Sequence, residues 1–260
     1  MARDMSDPME AEFDTVAEWT ARVAIDLGPE YYIPAACRGS GQPTVLNWLL
    51  DRLGPRPGEV MIDVGAGLGG PAAYAARRTG VQPVLVEPEP DACRAAARLF
   101  GAPIVQADAT ALPFGDATVD LAWCLGVLCT APSTAAQQAM LSQLRRVTRP
   151  GGRIGLLVYL TTVAELDDPP QGNHFPSSGQ LHDLFGQAGL EAVDVASVDI
   201  THAPPDWADR VRTVERELHR QYGHTPELKE ADEQSGRIGR LLTSGQLTSQ
   251  AILLQSARAG

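Results

Sequence analysis

The chain has 260 residues, enough for one sizeable α/β core with a cap, and its 32 acidic against 21 basic residues leave a formal charge of −11. Nucleic-acid binding draws on clustered Lys and Arg, so this balance speaks against a phosphate-gripping surface. No run approaches the roughly 18 apolar residues of a membrane span, and the first 30 residues carry Asp and Glu where a leader would have a basic region and an apolar run.

In chain order, residues 9–27 place Phe13, Val16, Ala17, Val23, Ala24 and Leu27 at helical spacing, with acidic residues opposite. This predicts a helix that docks on a core. Residues 28–43 read as loop by their Gly, Pro and Ser content, and residues 43–54 as a short helix stopped by Gly54 and Pro55. From there short β-rich runs alternate with helical stretches: EVMIDVG, a helix over 70–79, PVLVEP, a helix over 90–100, PIVQAD, VDLAWCLGVL, a helix over 134–147, and RIGLLVYL. That alternation predicts an α/β fold with a parallel sheet covered on both faces. Further on, Ser177 or Ser178 can cap a helix that ends at Gly189, and a strand follows over 191–200. Trp207, Val211, Val214, Leu218 and Tyr222 then recur at steps of 4, 3, 4 and 4, the stripe of an amphipathic helix, before a last strand over 249–258.

Chemistry concentrates at strand ends. The turn in EVMIDVGAGLGG satisfies G-x-G-x-x-G through Gly65, Gly67 and Gly70, and equally D-x-G-x-G-x-G through Asp63, Gly65, Gly67 and Gly69. Glycine there lets the backbone approach a ligand, and the helix N-terminus that follows offers unpaired N–H groups. Asp63 suits a cationic ligand group better than a pyrophosphate. Glu87, ending the second strand 20 residues past Gly67, can accept hydrogen bonds from both hydroxyls of a ribose. Asp108, expected at the end of the third strand, can accept an amino hydrogen from adenine.

With these pieces in register, the chain resembles the class I S-adenosylmethionine-dependent methyltransferases, through DVGAGLGG, VLVEPEP, ADATALPFGDATVDLAWCLGVL and LRRVTRPGGRIGLLV across roughly residues 58–160. The resemblance implies a Rossmann-like fold with a seven-stranded, mostly parallel sheet, its last strand antiparallel, and a helical lid. It implies S-adenosyl-L-methionine as cofactor, with Asp63, Gly65, Ala66 and Gly67 lining the methionine and ribose parts and Glu87 with Pro88 at the ribose. Asp108 and Ala109 would face the adenine, the backbone at Leu125 the methionyl amino group, and Tyr32 would close over the methionine end. The tail is similar to the branch acting on tocopherol, quinone and macrolide-type molecules. Where that branch often carries a histidine after the fourth strand, this chain reads VLCT, with Cys129 and Thr130.

One domain is expected: a helical cap over 1–54, a cofactor-binding core over 55–160 and a substrate-side part over 161–260 with a lid at 204–244. The expected activity is methyl transfer to O, N or C of a small metabolite, in secondary metabolism. Binding of the cofactor without transfer is the alternative, and a nicotinamide-dependent dehydrogenase a weaker one. If the acceptor arrives protonated, His202 after the sixth strand and His174 in the loop before the Ser177 helix are the candidate bases; His182, His219 and His224 read as surface. Cys37, Cys93, Cys124 and Cys129 show no zinc spacing. They read as buried, reduced thiols of a cytoplasmic chain without a metal site, a membrane contact or a nucleic-acid partner, and the oligomeric state is left open.

Overall fold

The computed structural model describes residues 11–38 and 41–257, of which residues 11–13 as backbone only. The first predicted helix begins as a π-helical turn, Ala11–Val16, and continues as α1, Ala17–Leu27; Met9, Glu10 and the Phe13 side chain of the expected stripe lie outside the described residues. Residues 28–43 depart from the loop reading. Pro29–Tyr31 is a 3-10 turn and Tyr32–Ala36 a short helix, α2: Gly28 with Pro29 and Gly41 with Pro43 flank the stretch, and Pro34 falls in the first turn of α2, where its missing N–H costs no helical bond. Helix α3, Pro43–Leu53, ends at a left-handed Gly54, φ 51°.

The core then alternates as expected: β1 Val60–Val64, α4 Gly70–Thr79, β2 Gln82–Glu87, α5 Pro90–Phe100, β3 Ile104–Gln106, β4 Val119–Leu125, a 3-10 turn Leu128–Thr130, α6 Thr134–Val147 and β5 Thr148–Thr161. Helix α7, Ser178–Ala188, starts with a capping box between Ser177 and Gln180 and stops at left-handed Gly189. After β6, Leu190–Ser197, the tail holds two 18-residue helices, α8 Pro205–Tyr222 and α9 Pro226–Thr243, before β7, Leu247–Ser256.

The seven strands lie in the order β3-β2-β1-β4-β5-β7-β6. All run parallel except β7, which is antiparallel to both neighbours. Period-2 alternation buries both faces. Ile62 and Val64 of β1 and Ala122 and Cys124 of β4 join α6 and α7 in one core, whereas Met61, Leu121, Trp123 and Leu125 pack on α3 and α4. A third cluster joins α1 and α2 to α5 and to the stripe Val214 and Leu218 of α8 and Leu228 and Ala231 of α9. The tail helices therefore dock on the N-terminal cap. Because strand order diverges between β1 and β4, the ends of β1, β2, β3 and β4 open on one crevice, the place where such sheets hold ligands.

Candidate functional site

The turn after β1 is built on glycines with positive φ: Gly65 at 72°, Gly67 at 53° and Gly69 at 79°. At Gly65 a Cβ would come within 2.4 Å of the Val127 side chain, so the approach of the residues after β4 requires glycine there. Gly67 has open space where a side chain would stand, which leaves its backbone accessible to a ligand. Its N–H donates to Glu87 Oε2 at 2.7 Å, and the N–H of Glu89 donates to Oε1 at 3.1 Å. Glu87 is buried, and that burial pushes its carboxyl up to about 7 against those two hydrogen bonds.

Asp63 stands beside Glu87 and is opposite Trp123 in the β1–β4 register. Asp63 is 2% exposed; its Oδ2 and the indole N–H of Trp123 are both buried without a hydrogen-bonding partner among the described residues. Burial, helped by the charge of Glu87, pushes Asp63 up to about 7, although Trp123 and the N–H of Ala72 oppose the rise. No side chain caps α4, whose first N–H groups follow this turn. A buried carboxylate with Oδ2 lacking a close partner, a Gly67 backbone with open space beside it and the nearby N-terminus of α4 fit a ligand with a cationic group and a ribose, as S-adenosylmethionine has.

The remaining expected cofactor residues fall along the same strand ends. Ala66 is buried with its N–H on Val86 O at 3.1 Å, Leu125 is the buried last residue of β4, and Pro88 is exposed. Asp108 does not end β3. The strand stops at Gln106, and Asp108 is an exposed turn residue whose Oδ1 accepts from the N–H and hydroxyl of Thr110 at 2.7 and 2.5 Å. Ala109, half-buried, packs on the core beside it. The Tyr32 ring makes an edge contact with Phe100 of α5 at 6.4 Å, packing the cap on the core.

A cavity of about 460 Å³ lies between the cap and the tail helices, walled by Pro34, Tyr159, Trp207, Val211, Leu218 and His219 among others. None of the glycine-turn residues lines it. Cys37 joins the two regions: it lines the cavity, the charge of Asp63 helps burial push its thiol well above the usual range, and Gly70 of the turn would meet the Cys37 nitrogen at 2.7 Å if it carried a Cβ. Wall and turn are thus in contact.

The two candidate bases do not themselves line the cavity, although Thr201 and Ala203 on either side of His202 do. The His202 side chain is 85% exposed and bonds Asp199 at 2.6 Å and Thr201 at 2.9 Å, outside the cavity lining. His174 sits beside the VLCT segment, its N–H on Cys129 O at 2.7 Å and its Nε2 at 3.1 Å from Thr134 Oγ1, and it too is absent from the lining. His219 is exposed, as expected from the sequence, and also contributes to the cavity wall, with Nδ1 on Glu215 O at 2.7 Å and Nε2 on Asp232 Oδ2 at 2.8 Å. Its partner is on α9, so a pattern confined to α8 carries no sign of the pair. All four cysteines are free thiols, with Cys93 only half-buried. No cluster of metal-ligating side chains and no helix long and apolar enough to cross a membrane occurs among the described residues.

Sheet order, glycine turn and paired acids define a class I nucleotide-cofactor fold. Residues 62–156 match the family described as "Methyltransferase domain". The chain is 27% identical over 168 residues to a sterol 24-C-methyltransferase of Gibberella zeae, covering 60% of this chain and 43% of that one. It is 32% identical over 167 residues to an O-methyltransferase of Penicillium expansum, covering 56% and 57%. The chain thus spans about half the length of the curated relatives it matches. The structure of the [4+2]-cyclase SpnF shares the fold with TM-score 0.62 at 20% identity, over 83% of this chain and 81% of that one. Over residues 62–156 the chain is thus similar to the class I S-adenosylmethionine-dependent methyltransferases, and structures of that fold have been solved with S-adenosylmethionine or S-adenosylhomocysteine bound.

Proposed function

We propose that this chain transfers a methyl group to an O, N or C atom of a small, partly apolar metabolite of secondary metabolism, held in the cavity between cap and tail helices. The observation that carries this reading is Cys37, which walls the cavity on one side and lies against Gly70 of the glycine turn on the other, near enough to Asp63 to feel its charge. S-adenosylmethionine, when bound, supplies an electrophilic methyl on a sulfonium. Asp63 would hold the cationic methionyl end, Glu87 the ribose, and Asp108 with Ala109 the adenine. Residues 204–244, α8 and α9, act as the lid that keeps water out, and the chain's contribution to rate is alignment in a dry pocket. With His202 and His174 off the lining, neither is assigned a base.

That same placement favours a second reading, in which the cofactor is bound and the acceptor is rearranged without gaining a methyl. Calorimetry with S-adenosylmethionine, S-adenosylhomocysteine and NAD, followed by mass spectrometry of an acceptor panel, separates the readings. A gain of one methyl with release of S-adenosylhomocysteine is expected. An isomerised product of unchanged mass establishes the second reading, and preference for NAD removes both.

A further inference from the structure

Residues 107–118, between β3 and β4, have no regular secondary structure, yet they carry Asp108 and Ala109. Its start is held by the N–H of Ala107 on Glu87 O at 3.2 Å and the N–H of Ala111 on Asp108 O at 3.0 Å, and the remainder, from Leu112 on, by the last turn of α6. Arg146 donates from Nη2 to Leu112 O at 2.8 Å, from Nη1 to Phe114 O at 2.8 Å and from Nη1 to Asp116 Oδ1 at 2.7 Å. Gln143 Oε1 receives Arg146 Nη2 at 2.7 Å and the N–H of Leu112 at 3.2 Å, so it orients the guanidinium and holds the segment itself. The backbone completes the clamp, with the N–H groups of Ala117 and Thr118 donating to the carbonyls of Arg146 and Val147 at 2.9 Å each. Ala117 is held at φ 56°, a conformation costly for a residue with a Cβ.

The Arg146–Asp116 ion pair is solvated on its acidic side, 78% exposed, and such pairs contribute little by themselves. The two carbonyls matter more. A planar fork that binds Leu112 O and Phe114 O together fixes the spacing of two peptides in a segment that has no ladder of its own. At the other end of the segment, Asp108 Oδ1 is taken by Thr110, which leaves Oδ2 without a partner among the described residues.

We infer that Arg146, whose guanidinium is taken up by Leu112, Phe114, Asp116 and Gln143, is the positioning residue that sets Asp108 for recognition of the adenine amino group. This rests on the cofactor reading above. The test measures dissociation constants for S-adenosylhomocysteine and S-inosylhomocysteine, which replaces the amino group by an oxo group, using the full chain. The native chain is expected to prefer the adenine compound by at least about tenfold, the discrimination of one hydrogen bond to a charged acceptor. In Arg146→Gln the preference should shrink to within about threefold, as it should in Asp108→Ala, while Arg146→Lys keeps part of it. Loss of fold alone would weaken both ligands together and leave their ratio. If Arg146→Gln does not fold, Gln143→Ala, which retains the guanidinium but not its orienting acceptor, must narrow the ratio in the same direction. An unchanged ratio in the folded variants overturns the inference. So does a native chain that binds both compounds equally, with the cofactor reading intact; a native chain that binds neither removes the cofactor reading itself.

Discussion

At the scale of single residues, the candidate site is dominated by two buried carboxyls, and the proposed cofactor binding would link their protonation to the ligand. Asp63 and Glu87 are each pushed up to about 7, by burial first. In the unliganded chain, raised carboxyls favour the protonated form on folding, so their contribution is present below the ordinary carboxylate range and is lost as pH rises through about 7. A cationic ligand reverses the preference at Asp63, and ribose hydroxyls, as donors, reverse it at Glu87; binding should therefore release protons. Affinity for S-adenosylhomocysteine is expected to rise between pH 5.5 and 7.5, with Asp63→Asn flattening the rise. Titrations at the two pH values check this, and an equal slope in native and variant chains refutes the role given to Asp63. Glu87→Ala removes charge-assisted bonds worth roughly 1.5–3 kcal/mol each. It should weaken binding by at least about tenfold while circular dichroism shows the fold retained; unaltered affinity would take Glu87 out of the site.

At the scale of elements, legibility followed the strength of the local pattern. The strands and helices of the core were legible because apolar period and stop signals agree, as with Ser177 and Gly189 around α7. Helix α9 was not, for its buried face is Leu228, Ala231, Gln234 and Leu241, too sparse and too polar to stand out as a stripe, and two glycines interrupt it. Missing α9 also hid the pairing of His219 with Asp232. Asp108 lies two residues past the end of β3, because the run PIVQAD suggests a longer strand than the three residues that pair. The His219 pair makes its own prediction. Both ring nitrogens face oxygen acceptors, Glu215 O first and then Asp232, and both raise its pKa above 6.5; Arg38 approaches Asp232 from the cap at 4.0 Å. A bridge that needs the imidazolium is complete at low pH and is lost as pH rises through the raised value. Hydrogen exchange corrected for intrinsic rates should show α8 and α9 better protected at pH 6 than at pH 8.5. His219→Gln should shrink that difference to the part that the rest of the chain also shows through Asp63 and Glu87, and an undiminished difference in the variant would assign the pH dependence of α8 and α9 to other groups.

For the molecule as a whole, the proposed division between a donor turn and an acceptor cavity sets which changes should separate binding from turnover. Deleting residues 204–244 is a poor probe, because Val214, Leu218, Leu228 and Ala231 are buried with α1 and α2 and their removal would strip the cap of its packing. Filling the cavity tests the division without that cost. Ala208 lies on the cavity wall in the first turns of α8 and is only half-buried, so an indole at that position can extend into the roughly 460 Å³ of space without being forced into the core. The strand-end groups Asp63, Gly67 and Glu87 are not part of that wall. Ala208→Trp is therefore expected to keep S-adenosylhomocysteine affinity within about threefold and to lower turnover of the acceptor by about a hundredfold or more, since loss of alignment alone carries that magnitude. Calorimetry and a steady-state assay on the same preparation measure both quantities. Equal losses in the two would mean that cavity and turn form one site. Undiminished turnover would place the acceptor outside the cavity.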